Sequence, residues 1–266
     1  TASIARMNLF LHGVEEFSVV NADTLKNPAF LKGGTLQTFD VVLANPPYSI
    51  KEWNRTAFST DPHGRNFLGT PPQGRADYAF IQHILRSMDS KTGRCAILLP
   101  HGILFRDEEA AVRQKLVESD LIDCIIGLGP NLFFNSPMEA CILICRCKKP
   151  VARRGKILFI NAVNEVIRKN AESRLEPEHI RRIIKAYNSS EGIEGFSAFA
   201  TIDDVKNNKY SLAISLYAYV QAAGLRVADG ELSMEECLQN WQQSSDELLT
   251  QLADLAAKMT EGDRHE

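Results

Sequence analysis

The sequence lacks any apolar run long enough to cross a bilayer, and its mean hydropathy is −0.17. A spanning helix needs about 20 consecutive apolar residues. That excludes a helical membrane protein, and no membrane partner is expected. No basic segment followed by an apolar run and a cleavage site opens the chain, so a secretory leader is not expected either. The chain begins at Thr1 rather than Met, which suits a cut N-terminus. Excess positive charge is also missing: 30 Lys and Arg stand against 33 Asp and Glu, a net charge of −3. A self-sufficient clamp on duplex DNA is usually basic, because phosphate neutralisation supplies much of its affinity. Any nucleic-acid contact here must be local or shared with a partner. The six cysteines contain no C-x-x-C pair, and most lie in apolar runs, as buried thiols in a reducing cytosol do. Cys141, Cys145 and Cys147 fall on one face of a strand, but no partner ligands stand at a recognised spacing, so no metal site is expected. The six histidines form no H-E-x-x-H array.

What is present is an ordinary globular mix, 44% hydrophobic and 24% charged over 266 residues. At roughly 150 residues per domain, that is about two domains or one with an appendage. Apolar runs alternate with helical patterns. Phe17 to Val20 reads as a short strand and Asp40 to Ala44 as a buried one. A polar stretch from Tyr48 to about Arg75 follows. It is expected to be a mobile loop whose Arg55, His63, Arg65 and Arg75 offer donors to phosphates. Phe80, Ile81, Ile84, Leu85 and Met88 then stand at helix spacing. Cys95–Leu99, Ile122–Leu128, Ala140–Arg146 and Ile157–Ile160 read as strands, and Asp107–Ser119 as a helix. Strands alternating with helices predict a mostly parallel α/β sheet. No helix-length segment separates Leu128 from Ala140, so those two strands should pair antiparallel. Near residue 165 the character changes. Pro177 opens a helix with Ile180, Ile183, Ile184 and Tyr187 along one face. Ser233 and Glu236 open a final helix striped by Met234, Leu238, Trp241, Leu248, Leu252, Leu255 and Met259. That stripe fits either its own domain or a coiled-coil contact. The expected division is 1–165 for a catalytic domain and 166–266 for a mostly helical partner-contact region.

The tetrapeptide Asn45-Pro46-Pro47-Tyr48 directly follows the second strand. Open α/β sheets place their ligands at the carboxyl ends of strands. Two prolines stop the sheet and remove backbone donors, so the turn presents carbonyl oxygens and the Asn45 side chain. Those are acceptors suited to an amino group. The exocyclic amine of adenine is a poor nucleophile, its lone pair delocalised into the ring. The Asn45 side-chain oxygen and the Pro46 carbonyl can take its two hydrogens and favour a tetrahedral nitrogen aimed at an electrophilic methyl group. Such catalysis is orientation and electrostatics, without a strong base. A duplex base must be flipped out to reach such a site, and Tyr48 supplies the face for it to stack on.

Around this turn the chain resembles the methylation subunit of a type I restriction-modification system, an N6-adenine DNA methyltransferase. The resemblance rests on Ala5–Gly13, Asn21–Leu25, Asn45–Tyr48, Asp77–Leu85, Leu99–Phe105, Asn131–Phe134 and Asn208–Leu212, in family order. It implies a Rossmann-like α/β methyltransferase sheet, incomplete at its N-terminal side, with an antiparallel last strand and a helical C-terminal tail. It implies transfer of a methyl group from S-adenosylmethionine (SAM) to a flipped adenine in double-stranded DNA. Catalytic roles pass to Asn45, Pro46, Pro47 and Tyr48, and cofactor binding to Asp23 and Thr24. Tyr48 with Phe133 or Phe134 would stack on the base. The implied partners are a specificity subunit, a second methylation subunit and a restriction subunit, and the implied location is cytoplasmic. The family's Gly-rich cofactor loop has no counterpart here, so the chain reads as a C-terminal piece, inactive on its own. Two other readings stay open. One is a protein-glutamine N-methyltransferase, which shares Asn-Pro-Pro-Tyr but not the long loop or the helical tail. The other is a non-catalytic assembly piece.

Overall fold

The computed structural model describes residues 2–133, 138–169, 172–219, 241–243 and 245. The chain divides into two compact units, 1–220 and 221–266. The described residues of the second unit are helical, and the rest of the expected final helix lies outside the described residues. In the first unit the strands are β1 (Leu31–Lys32), β2 (Thr35–Leu36), β3 (Val41–Ala44), β4 (Arg94–Pro100), β5 (Ile122–Leu128), β6 (Ala140–Arg146), β7 (Lys156–Ala162), β8 (Ile167–Lys169), β9 (Glu172–Arg174) and β10 (Ser197–Thr201). The helices are α1 (Ala2–Leu11), α2 (Arg55–Ser59), α3 (Asp77–Arg86), α4 (Ala110–Glu118), α5 (Pro177–Asn188) and α6 (Ile202–Asn207).

Six strands form the main sheet in the order β10-β7-β5-β6-β4-β3. β3 pairs parallel with β4 and β5 with β7, while β6 runs antiparallel to both β4 and β5. β10 closes the far edge, antiparallel to β7. Four of the six strands therefore point one way, with β6 reversed among them as its short connection from β5 requires. β5 is buried along its whole length, which is why it reads as a continuous apolar run. One core cluster lies under α3 and α4 and includes Tyr78, Ile81, Leu85, Ile97, Leu116 and Leu143. A second lies under α5 and includes Cys124, Ile126, Leu158, Ile160 and Ala186. Residues 166–219 remain part of this unit, because β10 extends the sheet and α6 packs beside it.

Several expectations need correction. β3 is not buried: Val41 is 46% exposed and Leu43 is 76% exposed. It is an edge strand, and no strand pairs its outer side among the described residues. Phe17 to Val20 is not a strand, because no neighbouring ladder receives it; Arg6 Nη2 donates to the Val19 carbonyl at 2.9 Å instead. The polar stretch after Tyr48 is not structureless. It forms α2, buries Phe58 and Leu68, and packs Trp53 edge-on against Phe58. Arg65 is turned away from any phosphate, since it is 2% exposed and each of its three guanidinium nitrogens donates inside the protein. On α5 the apolar face splits: Ile183 and Tyr187 pack on the core while Ile180 and Ile184 stay exposed. Cys141 and Cys145 are buried on β6 and Cys147 lies just past it, with no metal-holding cluster among the described residues. Among those residues no helix is long and apolar enough to cross a membrane.

Candidate active site

The tetrapeptide leaves the carboxyl end of β3, as its position after an apolar run predicts. Pro46 is buried, and this anchors the turn while Asn45 stays exposed. Neither the Asn45 side-chain amide nor the Pro46 carbonyl enters a hydrogen bond among the described residues. Two acceptors thus stand free at the end of a strand. Tyr48 is half-buried beside them. Burial, reinforced by nearby Cys141 and Asp77, raises its phenol above the ordinary tyrosine value. The ring is therefore neutral at working pH, suited to stacking and unsuited to proton abstraction. Ser49, the next residue, is gripped by Asp77 at the start of α3: the Ser49 N–H donates to Oδ1 at 2.8 Å and the hydroxyl to Oδ2 at 3.3 Å.

Asp23 sits in an exposed turn. Its Oδ1 accepts from the Leu25 and Lys26 N–H groups at 3.1 and 3.0 Å. Its other oxygen takes no donor among the described residues. The turn, with Lys26, lines a cavity of about 400 Å³ together with Ile50, Glu52, Trp53, Asn54, Ala57 and Phe80. Two carboxylates, Asp23 and Glu52, beside apolar and aromatic side chains suit a flat heterocycle carrying an amino group. Thr24 faces elsewhere: it lines a different cavity, of about 630 Å³, with Phe30, Phe39, Val42 and His83. The structure thus brings Asp23 to the segment following the tetrapeptide and separates Thr24 from it. Phe133 packs on the core cluster under α5, while Tyr48 lies toward Asp77 and Cys141 on the α3 side. No ring contact joins the two, and Phe134 lies outside the described residues.

The link between the two halves of this site is Arg65. Its Nη1 donates to the Thr24 carbonyl and its Nη2 to the Leu25 carbonyl, both at 2.9 Å. Asp61 completes the arrangement, accepting from Arg65 Nε at 2.9 Å and Nη2 at 2.6 Å. Burial alone would raise the Asp61 carboxyl, but the Arg65 bonds and charge outweigh it and hold it below the usual range. The Asp23 turn is thereby stapled to the chain downstream of Tyr48.

The family model for N-6 DNA methylases matches residues 1–224. This chain belongs to the N-6 DNA methylase family. Its sequence is 37% identical over 231 residues to the MjaVII type I restriction enzyme methylase subunit of Methanocaldococcus jannaschii, covering 82% of this chain and 39% of that protein. It is 31% identical over 227 residues to the HindI methylase subunit of Haemophilus influenzae, covering 82% and 49% respectively. The crystal structure of a type I restriction-modification methyltransferase subunit from Streptococcus thermophilus matches with a TM-score of 0.75 at 35% identity, over 82% of this chain and 46% of that one. The chain spans less than half the length of each of these relatives. Sequence reading alone misses the two buried groups that organise the site. Arg65 reads in sequence as a loop cation, and Asp77 only as the first residue of a stretch that carries the family resemblance. The available signal was Asp61, four residues before Arg65 in a segment otherwise poor in acids.

Proposed function

We propose that this chain carries the catalytic turn of a DNA adenine-N6 methyltransferase, the modification subunit of a type I restriction-modification system. One observation carries the proposal: two unpartnered acceptors, the Asn45 amide and the Pro46 carbonyl, stand at the carboxyl end of β3 beside a neutral Tyr48. Asn45 and Pro46 accept the two hydrogens of the target amine and draw its lone pair out of the ring. Pro47 holds the turn extended, and Tyr48 stacks on the flipped base. The amine nitrogen bonds to the donor methyl as the methyl–sulfur bond breaks and a neutral thioether leaves with that electron pair; one amine proton is then lost to solvent, so no side chain need act as a strong base.

SAM supplies the methyl group when bound. The free oxygen of Asp23 and the cavity beside it, with the Trp53 and Phe80 rings and the Glu52 carboxylate in its lining, suit its adenine end. Thr24 contributes through its carbonyl, which Arg65 holds, rather than through its side chain. Stacking falls to Tyr48; Phe133 supports the core, and Phe134 stays a candidate second wall. Residues 1–165 carry the chemistry, and 166–266 meet the partner subunits. Those partners are double-stranded DNA, a specificity subunit, a second methylation subunit and a restriction subunit, an assembly working in the cytoplasm. Shared recognition accounts for the net charge of −3, since a partner supplies the cationic surface.

The test is Asn45→Ala in the assembled enzyme. Loss of one oriented acceptor should lower N6-methyladenine formation by about 100-fold or more, with DNA affinity little changed. Near-normal methylation by the variant overturns the assignment. Labelled SAM offered with DNA and with a peptide-release factor separates this reading from glutamine methylation.

A further inference from the structure

Ser49 directly follows the catalytic turn, and its φ is 48°, in the left-handed region. A non-glycine residue stays there only when its surroundings hold it. Asp77 holds it from below, taking both the Ser49 N–H and its hydroxyl. Asp77 is 1% exposed, and it sits in the first turn of α3, where a carboxylate is favoured by the helix end. Behind it stands Arg106, whose Nη2 lies 3.5 Å from Asp77 Oδ2 and whose Nε lies 3.4 Å from Glu109 Oε2. Gly102 leaves space for that guanidinium, because a Cβ there would come within 2.6 Å of Arg106 Nε. A line of contacts, buried at Asp77, therefore runs from Gly102 through Arg106 and Asp77 to the residue beside Tyr48.

We propose that Asp77 is a positioning residue for methyl transfer: by clamping Ser49 it sets the orientation of the turn that presents Asn45, Pro46 and Tyr48, and it touches neither base nor methyl donor. This rests on the adenine methyltransferase reading above. Removing the clamp lets the turn relax from its left-handed exit, and the two acceptors no longer meet the amine together. A misplacement of about 1 Å can cost about 100-fold in rate. Binding of SAM and DNA depends on other residues and should survive.

The experiment is a double-mutant cycle in the assembled methyltransferase, read by single-turnover methyl transfer. Asp77→Ala should slow transfer by about 10- to 100-fold while the dissociation constants for DNA and SAM stay within about 3-fold. In the Asn45→Ala background the same change should cost less than about 3-fold, because nothing remains to orient. Equal losses in both backgrounds would make Asp77 merely structural and overturn the proposal. Asp77→Asn keeps the volume and one acceptor, so the cycle can be run with it if the alanine variant does not fold; about 5- to 10-fold coupling is then expected. An active Asn45→Ala protein sinks the methyltransferase reading itself. An inactive Asn45→Ala protein with full-rate Asp77 variants sinks only the positioning role.

Discussion

Two buried groups near the site should pull stability in opposite directions as pH changes, and one substitution should unmask this. Glu109 is fully buried just before α4, and both of its carboxylate oxygens lack a hydrogen-bond donor. Burial pushes its carboxyl up to about 7 from an ordinary 4.5, with Asp77 adding to the rise and Arg106 opposing it. Between about pH 4.5 and 7 the folded chain keeps this proton and the unfolded chain has lost it. Stability therefore falls as pH rises through that window. The span from 4.5 to about 7 converts to at most about 3 kcal/mol. His83 does the reverse. Burial, aided by the Arg65 charge, pulls its imidazole down to about 4 from an ordinary 6.5. There the unfolded chain binds the proton first, so this contribution is complete above pH 6.5 and is lost as pH falls toward 4, again by at most about 3 kcal/mol. In the unmodified chain the two slopes oppose one another between pH 4.5 and 6.5, and their sum is shallow. Glu109→Gln keeps the shape and removes one slope. Stability of that variant should rise by about 2–3 kcal/mol from pH 4.5 to 6.5. Urea unfolding at half-unit pH steps, followed by circular dichroism, measures it. A Glu109→Gln profile parallel to the parent refutes the reasoning, because Glu109 would then be ionised in the folded chain. His83→Asn is the control of opposite sign, and its stability should fall across the same window.

Arg65→Met should destabilise the chain by about 3–5 kcal/mol in urea titrations, since it leaves the Asp61 charge buried and two carbonyls without their donor; a loss below about 1 kcal/mol would mean the staple is dispensable. Tyr48→Phe should methylate within about 3-fold of the parent, whereas Tyr48→Ala should forfeit about 1–3 kcal/mol of base stacking, read as weaker 2-aminopurine quenching at the target position. A polypeptide of residues 1–266 should show no SAM binding by calorimetry. The Asp23 carboxylate–amine contact is worth about 1.5–3 kcal/mol, which alone means a dissociation constant weaker than millimolar; micromolar binding would reveal a further cofactor contact.

The strands that apolar pattern locates well are those with both faces covered. β5 is a continuous apolar run and is buried throughout; β4 and β6 follow the same logic. Val41 to Ala44 has the same composition but stands at an edge with Leu43 in solvent. Hydrophobicity records what a segment can bury, and pairing partners decide whether it does. Phe17 to Val20 failed as a strand for the same reason: a strand is a relation between segments, and no ladder meets it. The Tyr48–Arg75 segment differs from its sequence pattern for another reason. Its polar residues look solvated in sequence, yet Trp53, Arg55 and Arg65 donate to backbone carbonyls within the fold, and those bonds join residues as far as 41 positions apart.

The site divides along the same line. Asn45 to Tyr48 was legible because each feature is local: prolines remove donors, a strand end fixes the place, and the asparagine supplies the acceptor. What makes those four residues a rigid surface is not local. Ser49 depends on a carboxylate 28 residues later, Asp77 on Arg106, and the Asp23 turn on Arg65. Of these partners only Arg65 has a neighbour in sequence that hints at its pairing, Asp61 four residues before it; otherwise an arginine that folds inward and one that meets a phosphate have the same formula. Their burial separates them. Arg65 and Asp77 are charges almost wholly withdrawn from water, which is costly unless each is hydrogen-bonded and paired. Both are, and the groups they hold lie on either side of the same turn. The cost is borne where two segments must keep a fixed relation: one carries the proposed acceptors for an amine, and the other carries a free carboxylate oxygen beside the cavity lined by Trp53, Phe80 and Glu52. Orientation is the proposed source of rate in this chemistry, and the proposal gives the buried ions their part in it through the segments they hold.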